Sequence, residues 1–238
     1  MSVPPGKVRA VFVHGAGGGG WEWLIWQRVF DAHGVASCAP DLQPVARGLA
    51  ATRLEDYAAQ VVQWCAAGTG PLVLVGASLG GLLVLRVAPR VDPAAIVLVN
   101  PLPPAGIDVR AKQQTYGDIV PWGRDRSLRG TRDALPDADD AACLFAFRRW
   151  RDESGTALRE AAAGCATDAP RCRVLVLAGE CDDEVPADAS RALAGALRAD
   201  FLLLRSASHV GPLLGRNAAQ VARQAWDWCE RSVGERAR

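Results

Sequence analysis

The run Leu72–Val87, LVLVGASLGGLLVLRV, constrains the fold more than any other stretch of the 238-residue chain. Its first residues, Leu72–Gly76, are apolar and β-rich, and the residues after Gly81 are apolar enough for a buried helix. Between them, Gly76-Ala77-Ser78-Leu79-Gly80 places a serine at the tip of a sharp strand-to-helix turn. A serine held there takes φ > 0. Side chains two residues to either side would collide with the neighbouring strand and helix, so both positions are glycine. Gly81 adds room at the helix start, and the helix N-terminus beneath Ser78 favours negative charge.

Further apolar β-rich runs lie at Lys7–Val13, Val35–Asp41, Ala95–Asn100, Arg173–Ala178 and Phe201–Arg205. They lack strict alternation, as strands buried on both faces of a parallel sheet do. Helical spacing separates them, as in Leu54, Tyr57, Ala58, Val61, Val62 and Cys65, in Ala189, Ala192, Leu193, Ala196 and Leu197, and in Val221, Ala225, Trp228 and Cys229. This alternation predicts an α/β fold, a doubly wound sheet of about six strands, mostly or all parallel, with helices on both faces. Residues 1–238 suffice for one such domain. Between Asn100 and Arg173 the rhythm breaks for about 70 residues, longer than an ordinary crossover. We read about 101–170 as a cap over the C-terminal edge of the sheet, with a helix around Asp140–Arg151.

Half the residues are apolar and the formal net charge is +1, which calls for neither nucleic acid nor a membrane surface as partner. The uncharged run Leu72–Leu85 is shorter than the roughly 20 residues a membrane span needs. The start, MSVPPGK, lacks the apolar core of a secretory leader. Seven cysteines without a C-x-x-C or a Cys–His metal spacing point to reduced thiols in a cytoplasm and to no metal site. Cys38, Cys65, Cys172 and Cys229 read as small buried hydrophobes.

Gly15, Gly17 and Gly20 in HGAGGGGWEW form a G-x-G-x-x-G after a strand, and Asp41 lies 21 residues beyond Gly20. That is the spacing of a dinucleotide site and raises a nucleotide-dependent oxidoreductase. A helix opening within the motif would hold Gly18, Gly19 and Gly20 in its first turn, each at about 1 kcal/mol relative to alanine. The run therefore reads as a loop with its helix delayed to about Trp21–Trp23, and Asp41 as an ordinary strand-end acid.

A serine nucleophile needs a base. Only His14, His33 and His209 exist. His14 sits beside the glycine loop and His33 near the end of the first helix, whereas His209 follows the last strand. The imidazole needs an acid to fix its tautomer. ECDDEVP, at the end of a strand, offers Asp182, with Asp183 as runner-up and Glu184 beside it.

With Ser78…Asp182…His209 in that order, the chain resembles the α/β-hydrolase superfamily along nearly its whole length. The resemblance rests on His14-Gly15, Gly76-Ala77-Ser78-Leu79-Gly80, Gly179…Asp182…Val185-Pro186 and His209. It implies catalysis by Ser78, Asp182 and His209, with an oxyanion hole from the Ala16 and Leu79 N–H groups and no cofactor. The substrate would be a small, largely apolar ester or thioester. Trp21, Trp122, Phe145 and Trp150 are candidates to line its pocket, and Arg124, Arg126, Arg129 and Arg132 read as solvated surface. Ala77 stands where relatives carry His or Asn, PDLQPVARG lacks their Gly-His-Gly, the histidine lacks a preceding glycine, and the first antiparallel hairpin is missing. The glycine-and-tryptophan loop resembles that of the plant esterase and hydroxynitrile-lyase branch, although no lysine lies close in sequence to Ser78, Asp182 or His209. C–C hydrolases, lyases, acyltransferases and small-molecule receptors share this triad and fold and are the alternatives.

Overall fold

The structure, a computed structural model, describes residues 7–107 and 115–236. Residues 1–6, within the start MSVPPGK considered above, and residues 108–114 of the expected cap lie outside it. Six strands form one parallel sheet: β1 (Arg9–Val13), β2 (Ala36–Cys38), β3 (Leu72–Ala77), β4 (Ala95–Val99), β7 (Arg173–Gly179) and β8 (Asp200–Leu204), in the order β2-β1-β3-β4-β7-β8. The two short strands between them in the chain, β5 (Ile119–Val120) and β6 (Glu153–Ser154), pair antiparallel in a separate ribbon.

Each central strand supplies both faces of the core, which is why its apolar run does not alternate. On one face Ala10, Phe12, Val73, Val75, Ala95 and Val97 meet α1 (Leu24–Ala32) and α9 (Ala218–Arg236). There Phe12, Trp23, Trp26 and Phe30 pack with ring centroids 5.1–6.4 Å apart. On the other face Val11, Val13, Leu72, Leu74, Ile96 and Leu98 meet α2 (Leu54–Ala66), α3 (Leu79–Val91) and, further along the sheet, α7 (Ala187–Leu197). Helix α3 is buried almost all round from Leu79 to Leu85, as a helix wedged between a sheet and neighbouring helices must be.

The connection from β4 to β7 carries β5, α4 (Leu128–Ala134), α5 (Asp140–Phe147), β6 and α6 (Gly155–Ala162). A short α8 (Gly211–Leu214) precedes α9. Among the described residues no helix is long and apolar enough to cross a membrane. Two expectations fail at the sheet edge. Cys38 is exposed, because β2 is an edge strand of only three residues. The strand also stops there, so Asp41 lies beyond it rather than at its end.

The sheet order reverses between β1 and β3, and the loops leaving their C-terminal ends diverge around the crevice where ligands bind in such sheets. The turn after β3 fits there only with glycines. A Cβ on Gly80 would lie 2.2 Å from the Val13 carbonyl oxygen, and one on Gly76 would lie 2.4 Å from the Gly80 carbonyl oxygen. Gly80→Ala should therefore destabilise the fold by about 1–3 kcal/mol. Gly195→Ala, in open space within α7, should stabilise it by about 0.5–1 kcal/mol. Thermal melts check both, at about 2–4 °C per kcal/mol for a chain of this length.

Candidate active site

Ser78 caps the end of β3 with φ 51° and ψ −120°, a conformation that costs a non-glycine residue about 1–3 kcal/mol. Backbone bonds on both sides hold it. Its N–H donates to the Val99 carbonyl at 3.0 Å, and its carbonyl accepts from Leu102 and Gly81 N–H groups, each at 3.0 Å. The loop after β1 comes against it, since a Cβ built on Gly15 would sit 3.2 Å from the Ser78 Cβ and 3.8 Å from its Oγ. The N–H groups of Ala16, in that loop, and of Leu79, the first residue of α3, donate to no protein group among the described residues.

At the end of β7, Asp182 is buried and turned toward His209. Its Oδ2 lies 2.8 Å from His209 Nδ1, and its Oδ1 accepts from the Glu184 and Val185 N–H groups at 2.9 Å each. A carboxylate so placed puts the proton on Nδ1 and leaves Nε2 as the basic nitrogen. Burial works to lower the His209 pKa; the Asp182 bond and charge, with lesser help from Glu184, outweigh it and hold the pKa above its ordinary value. Asp183 is exposed and turned to solvent.

Asn100, one residue past β4, joins these pieces and carries no motif that would reveal it in the sequence. It adopts φ 44° and is 1% exposed. Its Oδ1 accepts from the Gly179 N–H at 2.7 Å, at the end of the strand that leads to Asp182. Its Nδ2 donates to the His209 carbonyl at 2.7 Å and the Ser208 carbonyl at 3.3 Å. Asp137, in the β4–β7 connection, adds a second brace by accepting from the Ser208 hydroxyl at 2.6 Å and the Ser208 N–H at 3.1 Å. The visible signals were faint: a polar residue closing the apolar run AIVLVN, and one aspartate among many.

The glycine loop is not a phosphate cradle. A 3-10 turn, Gly20–Trp23, follows it and α1 starts only at Leu24. Three of its donors are taken: Gly17 N–H by Glu153 Oε2 at 3.0 Å, Gly18 N–H by the Gly15 carbonyl at 3.3 Å, and Gly20 N–H by Asp41 Oδ1 at 2.7 Å. Asp41 is thus more than the ordinary acid expected, because it also pairs with Arg151 at 3.0 Å. Arg151 in turn donates its N–H to the Gly17 carbonyl at 2.8 Å. Glu153 is buried and accepts from the Tyr57 hydroxyl at 2.6 Å and the Ser154 N–H at 2.7 Å. His14 is a strut. Its Nδ1 bonds the Gly15 carbonyl at 2.8 Å, its Nε2 accepts from the Leu42 N–H at 2.9 Å, and burial drives its pKa down to about 4, so it stays neutral.

Three of the four aromatic candidates meet between the glycine loop and the connection. Trp21 lies 5.8 Å from Phe145 and 5.2 Å from Trp150, ring centroid to centroid, and all three are half-buried. Trp122 is exposed and lies against Gly17, 2.7 Å from where a Cβ there would stand. Arg124, Arg126, Arg129 and Arg132 are exposed, two of them paired with Asp125 and Asp140. Surface hollows of about 300 Å³ between α1 and α9, and of about 240 Å³ beside Pro89 and Asp168, include none of the residues around Ser78.

Solved structures share this architecture. A methylesterase from Arabidopsis superposes with a TM-score of 0.72 at 14% identity, covering 93% of this chain and 98% of that one. A monoacylglycerol lipase from Paleococcus ferrophilus gives 0.71 at 20%, covering 98% and 100%. A pyrethroid hydrolase from Sphingobium faniae JZ-2 gives 0.70 at 19%, covering 94% and 98%. At these identities the likeness establishes the fold. No curated protein matches the chain significantly. A family profile described as the alpha/beta hydrolase family matches residues 10–224, from within β1 to within α9, and by that match together with the sheet order the chain belongs to the alpha/beta hydrolase family.

Proposed function

We propose that the protein is a serine hydrolase that cleaves an ester or thioester of a small, largely apolar substrate through an acyl-enzyme. The observation that carries this is the 2.8 Å bond between His209 and the buried Asp182 at the sheet edge that also holds Ser78 in its strained turn. In this mechanism His209 Nε2 takes the Ser78 hydroxyl proton as Oγ attacks the carbonyl carbon, and Asp182 stabilises the imidazolium. The Ala16 and Leu79 N–H groups, both without partners among the described residues, receive the oxyanion, each worth about 3–4 kcal/mol to the transition state. The imidazolium then protonates the leaving group, and water, deprotonated by the same histidine, releases the acid. The β4–β7 connection serves as the cap, with Trp21, Phe145, Trp150 and Trp122 bordering an acyl pocket. Esterases, a lipase and a hydrolase among the structural relatives support the reading. Seven unpaired cysteines support a reducing, cytoplasmic setting.

A fluorophosphonate probe should label the wild type, and Ser78→Ala should lose both labelling and turnover of nitrophenyl esters; a wild type that takes no label and turns over neither esters nor thioesters overturns the proposal. Asp182→Asn should lower kcat by roughly 10³–10⁴, as loss of a triad acid does, whereas Asp183→Asn should stay within about twofold of wild type, having no bond to His209. Because His209 must be neutral to accept the proton and its pKa is raised, turnover should fall with decreasing pH from above about 6.5, the ordinary histidine value. Asn100→Ala should destabilise the fold by about 1–3 kcal/mol by leaving buried groups unpaired. It should also lower kcat more than it raises KM, as steady-state kinetics and melts would show.

A further inference from the structure

Glu22 is a charged residue type in an apolar place. It lies between Trp21 and Trp23 in the 3-10 turn, its own N–H donating to the Gly19 carbonyl at 3.0 Å. The residue is 4% exposed, and Oε2 is buried without a hydrogen-bond partner among the described residues. The carboxyl folds back onto the glycine loop. A Cβ on Gly18 would lie 2.1 Å from Oε2, 2.5 Å from Cδ and 2.7 Å from Oε1, so the carboxyl occupies the space of a side chain at position 18. Burying an unpartnered carboxyl oxygen is unfavourable, and a leucine here would fold more readily. The neighbourhood shows what the group touches: the glycine loop at Gly18, in the loop that begins at Gly15 beside Ser78, with His209 near enough for its charge to act on the carboxyl.

Resting on the hydrolase reading above, we infer that Glu22 is a positioning residue of this site, held as an uncharged carboxylic acid that fixes the glycine loop carrying the Ala16 N–H, and that losing its proton stops the reaction. Two effects act in the same direction. A carboxylate in this apolar enclosure would be drawn toward water, and the loop it packs against would lose its support. A carboxylate that stayed would set negative charge beside the donors meant for the oxyanion. The charged groups around it are few. His209 faces it from the loop after β8, and Arg151 from the β4–β7 connection. His209 also faces Asp182 and Glu184, while Asp41 and Glu153 are bound to Gly20 and Gly17, and His14 is neutral. Burial dominates, pushing the Glu22 pKa up to about 8 against the pull of the Gly19 and Gly15 N–H groups, His209 and Arg151. The acid is therefore mostly protonated at neutral pH and ionises in the mildly alkaline range.

The test is the pH dependence of fluorophosphonate labelling and of nitrophenyl ester kcat for wild type and Glu22→Gln, an uncharged side chain of the same shape. Wild type should lose activity on the alkaline side, about tenfold per pH unit beyond the pKa of a single essential acid. Glu22→Gln should match wild type within about twofold at pH 7 and keep its rate through that range, since an amide has no proton to lose there. A uniform loss at every pH, or an alkaline limb shared by both proteins, overturns the role of Glu22 and leaves the hydrolase reading intact. Absence of label and turnover in both proteins at every pH overturns the hydrolase reading and this role with it. A second readout does not depend on activity. Native Glu22 keeps its proton to higher pH than the unfolded chain does. The wild type should therefore lose stability relative to Glu22→Gln as pH rises from the ordinary carboxyl range toward about 8. A difference in Tm that does not change with pH likewise overturns the assignment.

Discussion

Two backbones meet where the loop after β1 and the turn after β3 press together, and the site follows from that contact. Gly80 lies so close to the carbonyls of Val13 and His14 that a Cβ would stand within 2.2 and 2.6 Å of their oxygens. No side chain separates the elements, so Ser78 sits beside Gly15 instead of a residue's width away. The strain in Ser78 is tolerated because bonds to Val99, Leu102 and Gly81 over-determine the turn. The parallel sheet completes the arrangement by delivering the ends of β7 and β8 to the same edge.

Around that contact, polar side chains do the holding, Asn100 and Glu153 among them fully buried. Asn100 ties the end of β7 to the histidine loop, and Asp137 ties that loop to the β4–β7 connection. Glu153 and Asp41 take the amides of the glycine loop, with Arg151 bound to both loop and acid. A buried carboxylate that accepts three donors, as Glu153 does, offsets much of its desolvation. Glu22 differs because one of its oxygens finds no donor.

Apolar runs marked all six strands of the sheet to within a few residues, because strands buried on both faces carry their signal in composition alone. The strained turn at Ser78 and the pairing of Asp182 with His209 were legible because the turn has local steric rules and few histidines compete with His209. The bracing residues were not. Asn100 acts on partners 79 and 109 residues away, and Glu153 on one 136 residues away, and no local pattern encodes such pairings. Cys38 was misjudged for a related reason: its apolar setting is real, but which strand lies at the edge depends on sheet order. The glycine run matched a nucleotide motif in spelling while its amides were destined for carboxylates from elsewhere in the chain.

The attachment of residues 151–154 to the glycine loop bears on how such a protein can diversify. The connection holds two kinds of sequence. The stretch from β5 through Trp150 carries exposed arginines and short helices, and it meets the glycine loop and the turn after it through rings alone, Trp122 on Gly17 and Phe145 and Trp150 on Trp21. Arg151 and Glu153, by contrast, are bonded to the loop's own backbone at Gly17. Away from Asp137, which braces the His209 loop, insertions and length changes can accumulate in the first stretch while the glycine loop's shape is preserved, but a shift of one residue in the second would pull that loop out of register. The residues that fix the glycine loop's backbone are thereby separated, within a single connection, from those that only lie against it.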